Sequence, residues 1–263
     1  MASTYPQFVL LGDSLFQQSM QLQEGFSFQA ALQTLCCRKL DVINRGFSGY
    51  NTRNLLSVLE GVFPERGADT PAIEYLAILI GANDAVIDGA PTKQHVDLDE
   101  YKSNLTKIVN HPRVKQHKPK IFIITPPPVD ELKHTKLDLE KGLSSSIRTS
   151  AISASYSEKA REVARENEGT VLIDLWQTIM HAAIALAPGD YQSGGPWLGT
   201  PENGKAGGLD ELLPDGLHLS GKAYQIFYET LRPHVERVWE GQPDNAGFVY
   251  PTWEEMNNVS TTP

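Results

Sequence analysis

Cysteine is nearly absent from the chain: two residues in 263, Cys36 and Cys37, side by side. Neighbouring cysteines on a predicted helix point in different directions and make a poor structural disulfide. No His/Cys spacing nearby has a metal-site pattern, so both read as reduced packing residues. No apolar run approaches the roughly 20 residues of a spanning helix, which excludes a membrane span of that kind. The opening Met1-Ala2-Ser3-Thr4-Tyr5-Pro6 carries neither a basic n-region nor an apolar stretch of signal-peptide length, and the expected location is cytoplasmic. Without a secretion signal, the acceptor patterns Asn104-Leu105-Thr106 and Asn258-Val259-Ser260 read as chance. A Lys/Arg stripe is missing too, and the net charge is −9. That balance argues against nucleic acid and anionic membrane surfaces and suits a small neutral substrate. No P-loop or G-x-G-x-x-G supports nucleotide binding. No serine satisfies the G-x-S-x-G elbow of the α/β-hydrolases, since Gly12-Asp13-Ser14-Leu15-Phe16 places a bulky ring where the elbow needs glycine.

What is present is a strand–turn–helix pattern repeated along the chain. With 40% hydrophobic and 21% charged residues, the chain has the profile of a globular protein. Its length suits one large α/β domain. Phe8-Val9-Leu10-Leu11 stops at Gly12 and hands over to Asp13-Ser14. Four apolar residues in succession fit a parallel strand covered on both faces, and the glycine lets the backbone leave the sheet steeply. Phe26, Phe28, Ala31, Leu32 and Leu35 then recur at helical spacing. Further strands are expected at Asp41–Asn44, Tyr75–Ile80, Lys120–Ile124 and Val171–Asp174, with helices from Asn51-Thr52, over Leu98–Val109, and over about Ser144–Glu166. Pro126-Pro127-Pro128 cuts off the fourth strand.

A last helix opens at Ser220-Gly221 and buries Ile226, Phe227, Leu231, Val235 and Val238. The alternation predicts a three-layer α/β/α sandwich around a five-stranded parallel sheet in the flavodoxin-like order 2-1-3-4-5. Residues 1–240 form the domain. The tail, 241–263, is expected to fold back onto it through Phe248, Tyr250 and Trp253. The Gly/Pro-rich 187–208 segment is expected to border the active site.

Right-handed crossovers bring every strand-to-helix turn to one sheet edge, where such folds bind ligands. Ser14, Gly49 and Asn83 each fall in such a turn. Gly12-Asp13-Ser14 alone is an ordinary turn tripeptide, and a serine hydroxyl needs a base in reach and a third group to orient that base. Asp215-Gly216-Leu217-His218 offers both, because three-residue spacing puts the two side chains on one side. His95, His111, His117, His134, His181 and His234 lack such a setting. Gly49 can present an unobstructed backbone N–H, Asn83 a side-chain amide, and Ser14 its own N–H, which together would make an oxyanion hole, although taken singly Gly49 and Asn83 are also ordinary turn residues. Leu15, Phe16, Phe47, Val86 and Leu217 are apolar neighbours of these residues, open to a role in the pocket or in the core.

Gly12-Asp13-Ser14-Leu15, Gly49 within Asn44-Arg45-Gly46-Phe47-Ser48-Gly49, Gly81-Ala82-Asn83-Asp84 and Asp215-Gly216-Leu217-His218 resemble, in order and spacing, the four blocks of the GDSL/SGNH hydrolases. Asn44-Arg45-Gly46-Phe47 and the run from Asp215 to Lys222 look like the isoamyl acetate-hydrolysing esterase group within them. The resemblance covers about Phe8 to Leu231. It implies the SGNH fold and ester hydrolysis with no metal and no cofactor. It also implies Ser14 as nucleophile, His218 as base, Asp215 as its orienter, and Ser14, Gly49 and Asn83 as oxyanion donors. The expected partner is a small-molecule ester, first of all a short acyl ester of a small alcohol; a homodimer is left open. A thioesterase, a lysophospholipase or a carbohydrate O-deacetylase would use the same machinery. A non-catalytic binding module that keeps the fold is the alternative of another class.

Overall fold

The structure of the protein, a computed structural model, describes residues 5–236 and 239–259. The apolar runs form strands β1 (Gln7–Gly12), β2 (Asp41–Gly46), β3 (Ile73–Leu79), β4 (Lys120–Ile124) and β5 (Thr170–Ile173). All pair in parallel in the order β2-β1-β3-β4-β5, as predicted. In chain order the helices are α1 (Ser14–Gln17), α2 (Phe28–Leu35), α3 (Thr52–Val62), α4 (Leu98–Val109), α5 (Pro112–His117), α6 (Glu131–Glu140), α7 (Ser150–Glu166), α8 (Leu175–Leu186), α9 (Leu209–Leu212), α10 (Gly221–Glu236) and α11 (Trp253–Val259).

The period-2 geometry of a strand sorts β1 between two cores. Phe8 and Leu10 join Phe28, Leu32, Ile179, Phe227 and Leu231 on the side of α2, α8 and α10. Val9 and Leu11 join Leu55, Leu59, Tyr101, Leu105 and Val163 on the side of α3, α4 and α7. The first core also fixes the two ends of the chain relative to each other. Phe28 stacks on Phe227 with ring centroids 4.5 Å apart, Phe16 packs on both rings, and the Tyr224 hydroxyl donates to the Leu15 carbonyl at 2.6 Å. Burying one such ring contributes roughly 1.5–3 kcal/mol. The short helix that begins at Ser14 is thereby clamped to the helix that follows His218.

β1 can approach β3 closely only because residue 12 is glycine, since a Cβ there would lie 2.0 Å from the Leu79 carbonyl oxygen. The long helix expected from Ser144 begins instead at Ser150, with Thr149 accepting the Ile152 N–H at its start. The residues before it form an irregular segment. Helices α6 and α8 went unpredicted for opposite reasons. α6 buries His134 and Asp138 rather than an apolar stripe, and α8 is apolar almost all round, so neither shows a readable helical period.

Cys36 is buried at the end of α2 and Cys37 is exposed; both thiols are free. Asn104 is buried within α4, in keeping with a chance glycosylation pattern. In the tail, Arg38 lies over the Phe248 ring at 4.3 Å and donates to the carbonyls of Tyr250 and Pro251, and Tyr250 packs on Tyr5. Trp253, expected to pack with them, is exposed. Val238 lies outside the described residues. Among the described residues no helix is long and apolar enough to cross a membrane.

Candidate active site

Gly12 stands opposite Gly46 and Leu79 in the sheet register, so β1, β2 and β3 end level with one another. The loops that follow them lie side by side at the carboxyl edge. Ser14 opens α1 there, after Asp13 has capped the helix by accepting the Leu15 N–H at 2.9 Å. From the other end of the chain, the loop before α10 brings His218 to it, with Nε2 2.9 Å from Ser14 Oγ. Asp215 Oδ2 accepts a hydrogen bond from His218 Nδ1–H at 2.6 Å, which leaves Nε2 as the acceptor facing the serine. The other Asp215 oxygen accepts the backbone N–H groups of Leu217 and His218 at 3.0 and 2.7 Å. Burial alone would push the Asp215 carboxyl up, but these donors outweigh it and hold the group well below the usual carboxylate range.

Gly216 makes this turn reachable. Its φ is +82°, and a Cβ would lie 2.8 Å from the Asp130 carbonyl oxygen and 3.1 Å from the His134 nitrogen, so only glycine lets the loop lean on the start of α6.

Ser14, Ser48, Gly49, Asn83, Leu217 and His218 line one cleft of about 300 Å³, closed on its far side by His134, Asp138, Lys141, Ile147 and Arg148. Gly49 is held through its carbonyl, which accepts Gln94 Nε2 at 2.8 Å, while Asn51 donates to the Gln94 carbonyl. Among the described residues, neither the Ser14 nor the Gly49 backbone N–H donates to a protein acceptor. Asn83 Nδ2 donates to the Tyr50 carbonyl at 2.9 Å. All five residues singled out in the sequence therefore meet in one place. Two buried carboxyls stand close by. Burial pushes Asp13 up to about 7, against the Leu15 N–H, and Asp84 up to about 6, against hydrogen bonds from Thr52. Among the described residues no group of three or more His, Cys, Asp and Glu is placed to hold a metal ion.

A model of the GDSL-like lipase/acylhydrolase family matches residues 10–226. The chain belongs to that family. As a GDSL enzyme it is a carboxylic ester hydrolase on the SGNH fold. It is similar to the bovine isoamyl acetate-hydrolyzing esterase 1 homolog, at 32% identity over 96% of this chain and 88% of that protein. It is also similar to a GDSL esterase/lipase of Arabidopsis thaliana, at 33% over 90% and 88%. The isoamyl acetate-hydrolyzing esterase of Saccharomyces cerevisiae matches at 29% over 96% and 95%. Among solved structures, a putative platelet activating factor from Streptococcus pneumonia superposes with a TM-score of 0.59, at 21% identity over 89% of this chain and 86% of that one. The acetylxylan esterase Axe2 of Geobacillus stearothermophilus gives 0.57, at 21% over 86% and 93%. At these identities the structural likeness speaks for the fold.

Two expectations fail against this GDSL site. His134, set aside for want of a partner, lines the cleft and has one: its Nδ1 lies 2.9 Å from Asp138 Oδ2. The pair was missed because its four-residue spacing sits on a helix that the sequence does not announce. The 187–208 segment does not line the cleft. It walls a separate cavity of about 450 Å³, with Pro196, Trp197, Thr200 and Glu202 facing Trp176 and Met180 across it. Gly199 of that segment accepts the Glu131 N–H at the head of α6, so the loop buttresses the site from behind. Of the five apolar neighbours, Leu15, Phe16 and Val86 are fully buried in the core and Phe47 packs against it, so only Leu217 reaches the cleft. Arg148 was missed altogether; Ser144-Ser145-Ser146-Ile147-Arg148 carries no pattern that would flag it.

Proposed function

We propose that the protein hydrolyses short acyl esters of small alcohols through a covalent acyl-enzyme. Ser14 Oγ attacks the ester carbonyl carbon as His218 Nε2 takes its proton. The tetrahedral oxyanion is met by the N–H groups of Ser14 and Gly49 and by the Asn83 amide. His218 then returns the proton to the departing alkoxide, and the acyl group stays on Ser14. Water, deprotonated by the same ring, attacks the acyl carbon and restores the serine. Asp215 stays ionised throughout and holds the ring in the required tautomer. The observation that carries the reading is the 2.9 Å between Ser14 Oγ and His218 Nε2, within the reach that proton transfer requires. The names of the relatives, several of them isoamyl acetate-hydrolyzing esterases, favour small acetate-type esters. The modest volume of the cleft agrees.

The test is a substrate panel of acetate, butyrate and octanoate esters, acyl-CoA, lysophospholipid and acetylated sugars, run with wild type and Ser14→Ala. Short esters should turn over fastest, and Ser14→Ala should lower kcat by on the order of 10⁴ or more. A fluorophosphonate probe should label Ser14. Folded wild type that neither turns over any ester nor takes the label would mark a binding module and end this reading.

A further inference from the structure

Asn83 can serve an oxyanion only if its NH₂ group, not its carbonyl, faces the reacting centre. An amide side chain is nearly symmetric in shape, so its orientation has to be imposed by its neighbours. Here it is imposed from two sides. One Nδ2–H donates to the Tyr50 carbonyl at 2.9 Å, and Oδ1 accepts from an Arg148 guanidinium nitrogen at 3.0 Å. A flipped amide would set donor against donor at Arg148 and acceptor against acceptor at Tyr50. The second Nδ2 proton is then left for the cleft.

Arg148 is itself firmly held. Its Nε donates to the Ala82 carbonyl at 3.3 Å, so one planar fork grips both Asn83 and the residue before it. Its backbone is pinned on both sides of the Ser146 hydroxyl, which donates to the Arg148 carbonyl at 2.7 Å and accepts the Arg148 N–H. The preceding residue is tied by its N–H to Asp138 and by its carbonyl to the Ile87 N–H. Arg148 is 7% exposed, although taking a cation out of water is costly before any pairing. Burial pulls its pKa down, against Asp138, Asp13 and Asp215, which hold it up. No carboxylate forms a direct ion pair with it among the described residues, so its hydrogen bonds go to the amide and to a backbone carbonyl.

We propose that Arg148 is a positioning residue of the oxyanion hole: its guanidinium locks the Asn83 amide with Nδ2 towards the reacting carbonyl and polarises that N–H. The proposal rests on the ester-hydrolase reading of the same cleft. Acting through Asn83, Arg148 strengthens a bond that matters most once the carbonyl oxygen carries charge, so its removal lowers kcat rather than raising KM.

The experiment is a double-mutant cycle on p-nitrophenyl acetate with Arg148→Lys, Asn83→Ala and the double variant, each checked for folding by its thermal melt. Lys keeps the positive charge that Asp13, Asp138 and Asp215 face but loses the fork, so the fold survives while the grip on the amide is lost. Asn83→Ala should cost about 10²–10³ in kcat. Arg148→Lys should cost roughly tenfold, with KM within about threefold, and Arg148→Met should cost more. In the Asn83→Ala background, the Arg148 substitution should cost less than about twofold, because the group it acts through is gone. An undiminished loss in that background, or a folded Arg148→Lys enzyme with wild-type kcat, overturns the positioning role. Wild type that neither hydrolyses the ester nor takes a fluorophosphonate on Ser14 instead overturns the underlying reading.

Discussion

Asp13, the chain neighbour of Ser14, is fully enclosed, and one of its carboxyl oxygens is buried without a hydrogen-bond partner among the described residues. Its folded pKa, about 7, stands above the unfolded value of 3.8. For a carboxyl shifted upward, the stabilising preference for the protonated form is complete below the unfolded pKa and is lost as pH rises through the folded one. Asp13 should therefore weaken the fold progressively between about pH 4 and pH 7, by a total on the order of 4 kcal/mol. Asp13→Asn removes the charge at similar shape. Its melting temperature relative to wild type should be higher at pH 8 than at pH 5, and a difference that does not change with pH would contradict this origin. Asp215 runs the other way, since its depressed pKa makes its contribution present above the unfolded value and lost in acid. The two aspartates of the site are thus set in opposite directions by burial in one and donated N–H groups in the other. Both residues were legible in the sequence because they sit inside short turn motifs. Their electrostatic roles were not, because these depend on which distant groups enclose them.

Helix α6 is the element that shapes the site from outside the recognised blocks. It presents His134 and Asp138 to the cleft, and its first turn carries the Gly216 loop: Asp130 N–H donates to the Gly216 carbonyl at 2.9 Å. Asp138 in turn accepts the Ile147 N–H at 3.0 Å and so places the segment that holds Arg148. The contact at Gly216 leaves no space for a methyl group. Gly216→Ala should shift the loop that carries Asp215 and His218 and lower kcat by about tenfold or more, since displacements near 1 Å can cost about 10²-fold. A variant with unchanged kcat would show that the loop yields without moving the imidazole. The five strands were predictable to within two residues at either end: β1, β3 and β4, covered on both faces, are unbroken apolar runs, and the edge strands β2 and β5 keep a shorter apolar centre. α6 was not, because its buried face is built from a histidine and an aspartate that satisfy each other.

Over the whole molecule, the sheet has two ends with different tasks. The carboxyl edge holds Ser14, Gly49 and Asn83. The tail contacts Tyr5, Arg38 and Lys39, which precede β1 and β2 and so belong to the amino edge. We propose that the described part of the tail, residues 241–259, braces a hydrolase domain formed by the residues before it. Removing residues 242–263 should lower the melting temperature by roughly 2–8 °C while leaving kcat within about twofold. A large loss of turnover at unchanged stability would instead tie the tail to catalysis. By itself the sequence determined the strands, their order and the turns that carry Ser14, Gly49, Asn83, Asp215 and His218. Local rules govern the strands and turns, with apolar runs for buried strands, glycine at steep exits and polar side chains in turns, and the handedness of parallel crossovers limits the order. Only the tertiary structure decided that Arg148 grips Asn83, that His134 and Asp138 wall the cleft, and that the 187–208 loop stands behind it. Those roles depend on which groups the fold brings to the cleft from separate stretches of chain, and such meetings obey distance and hydrogen-bond geometry rather than any apolar periodicity along the backbone.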